Sequence, residues 1–182
     1  MANGRGTYKC KRSRYRGSWM NDLKHGDGEE KWADGCRYAG QYVEDRKHGV
    51  GCFTWPDKSC YWGQLHMNDV EGQGEFRRPD GRIYRGSWKD NRKHGYGKYT
   101  WPDGSVYEGG FADDYRDGLG TFKWPDGRTY KGQWSKGRQH GRGVFATAAG
   151  ITYEGEWEQG VRKRWLSAGP FITSGDENAP DN

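Results

Sequence analysis

Long hydrophobic runs are missing from this sequence. Only 31% of its 182 residues are hydrophobic, which argues against a thick buried core, and no stretch approaches the ~18 consecutive apolar residues that cross a bilayer as a helix. The opening MANGRGTYKCKRSR lacks the apolar centre of a signal peptide, and its second residue is Ala where a myristoylated chain needs Gly. There is no Asn-x-Ser/Thr glycosylation acceptor. The four cysteines, Cys10, Cys36, Cys52 and Cys60, form no CxxC pair, so neither a zinc knuckle nor a disulfide framework is indicated. An intracellular, cytoplasmic chain with reduced thiols is the expectation. Rings and glycine are what the sequence has in quantity: ten Trp, 12 Tyr and 31 Gly are more than a solvated disordered chain carries, so the apolar material is concentrated in aromatic side chains.

The rings are periodic. Tyr15, Tyr38, Tyr61, Tyr84, Tyr107, Tyr130 and Tyr153 recur every 23 residues without insertion or deletion. Each is followed two positions on by Gly, as at Gly40, Gly86 and Gly132, and two further by an apolar residue: Trp19, Tyr42, Leu65, Trp88, Phe111, Trp134 or Trp157. Later in each unit a second run repeats the alternation, with Phe53, Tyr99 or Phe122 two residues before Trp55, Trp101 or Trp124. Polar residues fill the intervening positions. Period-two alternation in two short runs predicts two strands per unit, each with a glycine-aromatic face and a polar face. Segments such as DNRKHG, residues 90 to 95, are expected to close the hairpin, and WPDG, residues 101 to 104, to form the turn into the next unit. A glycine beside a ring lets the ring lie against bare backbone. The glycines are therefore read as room for rings. A phosphate loop would need its own spacing between a strand and a helix, and neither that string nor a convincing helical pattern occurs.

The unit YRGSWKDNRKHGYGKYTWPDG at 84 to 104 resembles the MORN repeat (membrane occupation and recognition nexus), whose units read YxGxW, HGxGxF and a PDG-type turn. The resemblance covers six full repeats and a truncated seventh over residues 15–165. Residues 1–14 are read as a basic N-terminal arm containing half a repeat, and residues 166–182 as a polar, flexible tail. What the resemblance implies is an all-β fold: an elongated single-layer antiparallel sheet of tandem 23-residue hairpins. It further implies a groove accepting a helix or extended peptide of a partner protein. The residues that would line that groove are Tyr38, Tyr42, Phe53, Trp55, Tyr84, Trp88, Tyr99, Trp101, Tyr107, Phe111, Phe122, Trp124, Tyr130 and Trp134.

Reactive chemistry finds little support in the pattern. His25, His48, His94 and His140 occupy one repeat position. Equivalent residues lie two strands apart, on the order of 10 Å, too far for the ~2.1 Å bonds of a shared metal ion. They are expected in the hairpin loops, bonded to nearby backbone. Asp34, Asp57, Asp80, Asp103 and Asp126 recur before the turn glycine position and read as turn formers. His66, outside the repeat positions, has no partner that the sequence identifies. No catalytic residue, metal or cofactor is assigned, and the chain is expected not to be an enzyme.

Charge is unevenly spread. Arg5, Lys9, Lys11, Arg12, Arg14 and Arg16 put six positive charges in the first sixteen residues with no acid, while the whole carries +5, so the remainder is −1. A repeat body without a basic stripe argues against nucleic acid as a ligand. The basic arm leaves two contacts open: acidic phospholipid, where each cation contributes about 1 kcal/mol near a charged surface, or an acidic protein. The leading expectation is a scaffold that binds a protein partner along the glycine-aromatic groove. Family precedent, which includes radial spoke heads of axonemes, adds a cytoskeletal or ciliary and flagellar setting. The alternative is a peripheral membrane module contacting acidic phospholipids through the arm. A homodimer joined through terminal strands is a further expectation from unpaired sheet edges.

Overall fold

The computed structural model describes residues 1–167. Fifteen strands follow one another in chain order in one antiparallel sheet, and no helix occurs among the described residues. They fall into two compact units, Met1–Lys93 and His94–Asn182. The tail expected at 166–182 lies, from residue 168 on, outside the described residues.

The first unit holds β1 (Gly4–Lys9), β2 (Ser13–Met20), β3 (Leu23–Trp32), β4 (Arg37–Val43), β5 (Arg46–Thr54), β6 (Cys60–His66), β7 (Asp69–Arg77), β8 (Ile83–Lys89) and the first residues of β9 (Arg92–Thr100). Strand β1 lies in the stretch read as a basic arm and pairs along β2 from Gly4 opposite Trp19 to Lys9 opposite Arg14. Two rows of like residues then cross the strands in register. Gly6, Gly17, Gly28, Gly40, Gly51, Gly63 and Gly74 stand opposite one another in turn, and so do Tyr8, Tyr15, Glu30, Tyr38, Phe53, Tyr61 and Phe76. Tyr15, Tyr38 and Tyr61 fold their rings over the adjacent glycines. A Cβ on Gly51 would come within 2.4 Å of the Tyr38 hydroxyl oxygen and 2.5 Å of its ring. The hydroxyl then reaches the carbonyl three residues on: Tyr15 donates to Ser18 at 2.8 Å, Tyr38 to Gln41 at 3.0 Å and Tyr61 to Gln64 at 2.7 Å. Tyr15, Tyr38, Tyr61 and Tyr84 are consequently buried although the sheet is a single layer.

The second unit repeats this plan in the rest of β9 and in β10 (Val106–Ala112), β11 (Tyr115–Lys123), β12 (Thr129–Ser135), β13 (Arg138–Ala146), β14 (Thr152–Glu158) and β15 (Val161–Trp165). Tyr99, Tyr107, Phe122, Tyr130, Phe145 and Tyr153 stand in one cross-strand row beside a second row from Gly97 to Gly155. Tyr107 and Tyr130 are buried over their glycines and donate to the carbonyls of Gly110 and Gln133.

Both kinds of turn follow from local chemistry. Within a repeat the hairpin closes on two residues, both in the left-handed region, such as Glu44 and Asp45 or Asp90 and Asn91. This is the turn whose twist suits a hairpin. It corrects the expectation for residues 90 to 95: only Asp90 and Asn91 turn, and Arg92 onwards is already strand β9. The histidines move with it, since His25, His48, His94 and His140 lie in β3, β5, β9 and β13 rather than in loops. Nor do they all bond backbone, because the Nδ1 atoms of His25, His48 and His94 are buried without a hydrogen-bond partner. Between repeats an Asp carboxylate closes the turn: Asp57 Oδ1 accepts from the Ser59 N–H at 2.8 Å and Asp103 Oδ1 from Ser105 at 2.8 Å.

Candidate functional site

The two sheet faces differ in chemistry because each strand alternates. On the ring face the buried tyrosines form a lower layer, and a second set of apolar side chains stands edge-on to them. In the first unit Tyr42 meets Tyr38 at 5.2 Å between centroids and Tyr15 at 5.3 Å, both near perpendicular, while Trp88 meets Tyr84 and Tyr61 in the same way. In the second unit Phe111 and Trp134 stand against Tyr107, and Trp134 and Trp157 against Tyr130. Edge-to-face pairing matches the positive ring edge to the negative ring face and fixes the rotamers.

An outer row is only half-buried. Phe53 packs on Trp55 at 4.6 Å and stacks on Trp32 at 5.8 Å, and Trp55 continues to Phe76. In the second unit Tyr99, Trp101, Phe122 and Trp124 form the same kind of chain, with centroids 4.4 to 5.4 Å apart. The fourteen residues expected to line a groove therefore divide by burial. Tyr38, Tyr42, Tyr84, Tyr107, Phe111, Tyr130 and Trp134 are buried, and Phe53, Trp55, Trp88, Tyr99, Trp101, Phe122 and Trp124 are half-buried. Of the fourteen, only the half-buried ones present ring surface to a ligand.

Sequence reasoning missed the cations of this face. Nine residues after the repeat tyrosine stand Lys24, Lys47, Lys93, Arg116 and Arg162, with Val70 and Gln139 in the other two repeats. Their heads fold back over the rings. Lys47 Nζ lies 5.1 Å from the centroid of Trp32, with Phe53 and Tyr38 close by. The Arg116 guanidinium lies 4.3 Å above Trp134 and donates to the Gly137 carbonyl at 2.5 Å. Burial pulls both cations below their ordinary pKa values, and the negative faces of the rings offset part of that cost. Lys24 is held differently. Glu30, standing where other repeats carry a ring, accepts from Lys24 Nζ at 2.5 Å and from the Tyr42 hydroxyl at 3.2 Å. The signal is a repeat position rich in Lys and Arg, which from sequence alone reads as loop.

The opposite face is polar and open. Arg5, Lys9, Lys11, Arg12, Arg14 and Arg16 are all exposed, in β1, in β2 or in the turn between them. Trp62 and Tyr96 are rings on this face, 62% and 63% exposed. His66 does have a neighbour, for its ring lies 5.1 Å from that of His48. Among the described residues no three His, Cys, Asp or Glu side chains come together as a metal site.

The family model of the MORN repeat matches residues 15–37, 38–60, 84–106, 107–127, 130–151 and 153–163. The unmatched stretch from 61 to 83 nonetheless supplies the hairpin of β6 and β7, with Tyr61 buried over Gly63 and Gly74 as in its neighbours. No curated protein matches the chain. Among solved structures, one similar chain is the TCP domain of Drosophila melanogaster SAS-4 (dCPAP), in complex with a proline-rich motif of Ana2 (dSTIL). It is 10% identical, with 79% of this chain and 85% of that chain covered and a TM-score of 0.44. A second is the G-box domain of the microcephaly protein CPAP, 15% identical over 93% of this chain and 100% of that chain, with a TM-score of 0.37.

Proposed function

The chain belongs to the MORN-repeat family, and from that premise we propose that it is a non-enzymatic scaffold that docks a partner protein on its ring face. The observation that carries this reading is the outer aromatic row: Phe53 and Trp55 in one unit, and Tyr99, Trp101, Phe122 and Trp124 in the other, are half-buried and held by the layer beneath. Rings fixed in this way lose little entropy on binding, and Trp and Tyr are the side chains that most often anchor an interface. Within either unit, a helix or extended peptide of the partner lies across the strands with its apolar residues on that unit's rings. Lys47 and Arg116, folded over the rings of Trp32 and Trp134, lie beside this row. A cytoskeletal or ciliary setting is proposed on family precedent.

The test compares the faces. Wild-type protein is used to retrieve its partner from native lysate, and the identified partner is titrated against Trp101→Ser with Trp124→Ser and against Trp62→Ser. The ring-face pair is expected to weaken binding at least about tenfold, and the polar-face variant to change it less than about twofold. Thermal melts identify any variant that has lost its fold. Equal loss from both, or none from the folded ring-face pair, contradicts the reading.

A further inference from the structure

The strand register brings together charges that lie far apart in the sequence. Lys9 in β1 stands opposite Arg14 in β2, Arg14 opposite Lys31 in β3, and Lys31 opposite Arg37 in β4. All four side chains project from the polar face and are exposed. Four cations thus occupy one row across four neighbouring strands, at ~4.8 Å per strand and so over about 14 Å. Lys11 and Arg12 sit in the turn beside its first half. The row ends at β5, where Thr54 stands opposite Arg37.

Like charges directly opposite on neighbouring strands oppose folding, and elsewhere this face avoids them. Glu75 lies between Arg77 and Arg85 and pairs with both. In the other unit Lys98 faces Glu108 at 3.7 Å, and Glu156 lies between Arg142 and Arg164 at 3.6 and 2.9 Å. Within the row only Lys31 has a carboxylate partner, Glu29 at 2.9 Å. Lys9, Arg14 and Arg37 have none within ion-pair distance among the described residues. The Glu29 carboxyl is held below the usual carboxylate range by its bond from Lys31, with smaller contributions from Arg37 and Arg16. Among the described residues the face therefore departs from its own charge pattern at one place only, in a straight line.

We infer that the row Lys9, Arg14, Lys31 and Arg37 is a binding site for an extended acidic peptide segment, separate from the ring face and independent of what binds there. A line of charge about 14 Å long matches roughly four or five residues of extended chain at ~3.3 Å each. Next to it, the backbone of Gly6, Gly17, Gly28 and Gly40 floors an open trough of about 540 Å³, lined also by Arg5, Arg16, Asp27 and Glu29, that leaves room for a peptide main chain whose side chains reach sideways to the row. Other polyanions fit less well. A flat anionic membrane laid on this face would also meet Asp27 and Glu29, and beside the row it would find only Ala39 as an apolar side chain, since the exposed Met20 and Leu23 lie at the far, hairpin end of β2 and β3. Single-stranded nucleic acid needs rings to stack on, and this part of the face has none.

The probe is a fluorescently labelled decaglutamate peptide, titrated by anisotropy against the full chain at low and physiological salt. Arg14→Gln with Arg37→Gln is compared with Arg77→Gln with Arg85→Gln, which removes the same net charge from the same face at another place. The row variant is expected to bind at least about tenfold more weakly, with the control within about twofold. The row variant is also expected to melt higher than wild type at low salt, because a like-charge contact has been removed. Equal weakening in both variants would mean a response to net charge alone and overturns the site. A row variant that melts lower than wild type would show that the four cations do not repel and overturns it as well. Vesicles of phosphatidylserine and phosphatidylcholine are the last arm. Vesicle binding at physiological salt that the row variant abolishes, without measurable peptide binding, would assign the row to membrane instead.

Discussion

If the glycines are room for rings, adding one methyl group in the glycine row should cost stability in proportion to how firmly the ring above it is held. At Gly28 a Cβ would lie 2.4 Å from the Tyr15 hydroxyl oxygen and 2.5 Å from its ring, and at Gly120 2.3 and 2.5 Å from those of Tyr107. Neither ring can give way: both are fully buried, and their hydroxyls are bonded to the Ser18 and Gly110 carbonyls at 2.8 and 2.9 Å. Gly6 stands in the same row, but its Cβ would meet only the half-buried Trp19, at 3.1 Å. All three have ordinary backbone angles, so a strand Gly→Ala change would by itself gain about 0.5–1 kcal/mol. Overpacking of a fixed neighbour costs about 1–3 kcal/mol or more. Gly28→Ala and Gly120→Ala should therefore lose about 2 kcal/mol, whereas Gly6→Ala should stay within about 0.5 kcal/mol of wild type. Chemical denaturation followed by tryptophan fluorescence reads this as a shift in midpoint at unchanged slope. Wild-type stability in Gly28→Ala and Gly120→Ala, or equal damage from Gly6→Ala, would refute the reasoning.

Two further outcomes follow from the same packing. Burial holds the phenols of Tyr15, Tyr38 and Tyr130 up at about 12, and raises those of Tyr61 and Tyr107 too, above the ordinary tyrosine value of 10.0. The folded state then keeps protons that the unfolded chain releases, so this contribution to stability is constant below pH ~10 and is lost as pH rises towards ~12. Melting temperature against pH with phenolate absorbance checks this, and free ionisation of these tyrosines in folded protein at pH ~10 would contradict it. Replacing Arg116 by Met keeps the side-chain bulk but removes the cation over Trp134 and the bond to Gly137. The expected loss is about 1–2 kcal/mol, read by denaturation, and an unchanged midpoint would show that the cation contributes nothing.

The repeat was legible because its pattern is local. Tyrosine, glycine and a ring at spacing two state the strands, and their recurrence every 23 residues states the succession of hairpins. The layering of the rings was not legible, since Tyr38 and Trp55 both alternate correctly onto one face. Only the fold-back of the tyrosine ring onto glycine buries the first and leaves the second half-covered. The stretch RKHG read as loop because charge and glycine usually mark loops. A hairpin turn of two left-handed residues uses none of it, so Lys47, Lys93 and Arg116 enter strands and fold over rings. The basic row needed the register as well: Lys31 and Arg37 lie outside the first sixteen residues and join Lys9 and Arg14 only through the pairing of β1 to β4.

Covalent labelling of tryptophan in the free chain and in its complex with the retrieved partner tests the central claim most directly. The account predicts that Trp55, Trp101 and Trp124, half-buried on the ring face, become protected on binding, while Trp62, exposed on the polar face, labels as fast as before. Protection of Trp62 with unchanged labelling of the ring-face tryptophans would place the partner on the other side of the sheet and contradict the account.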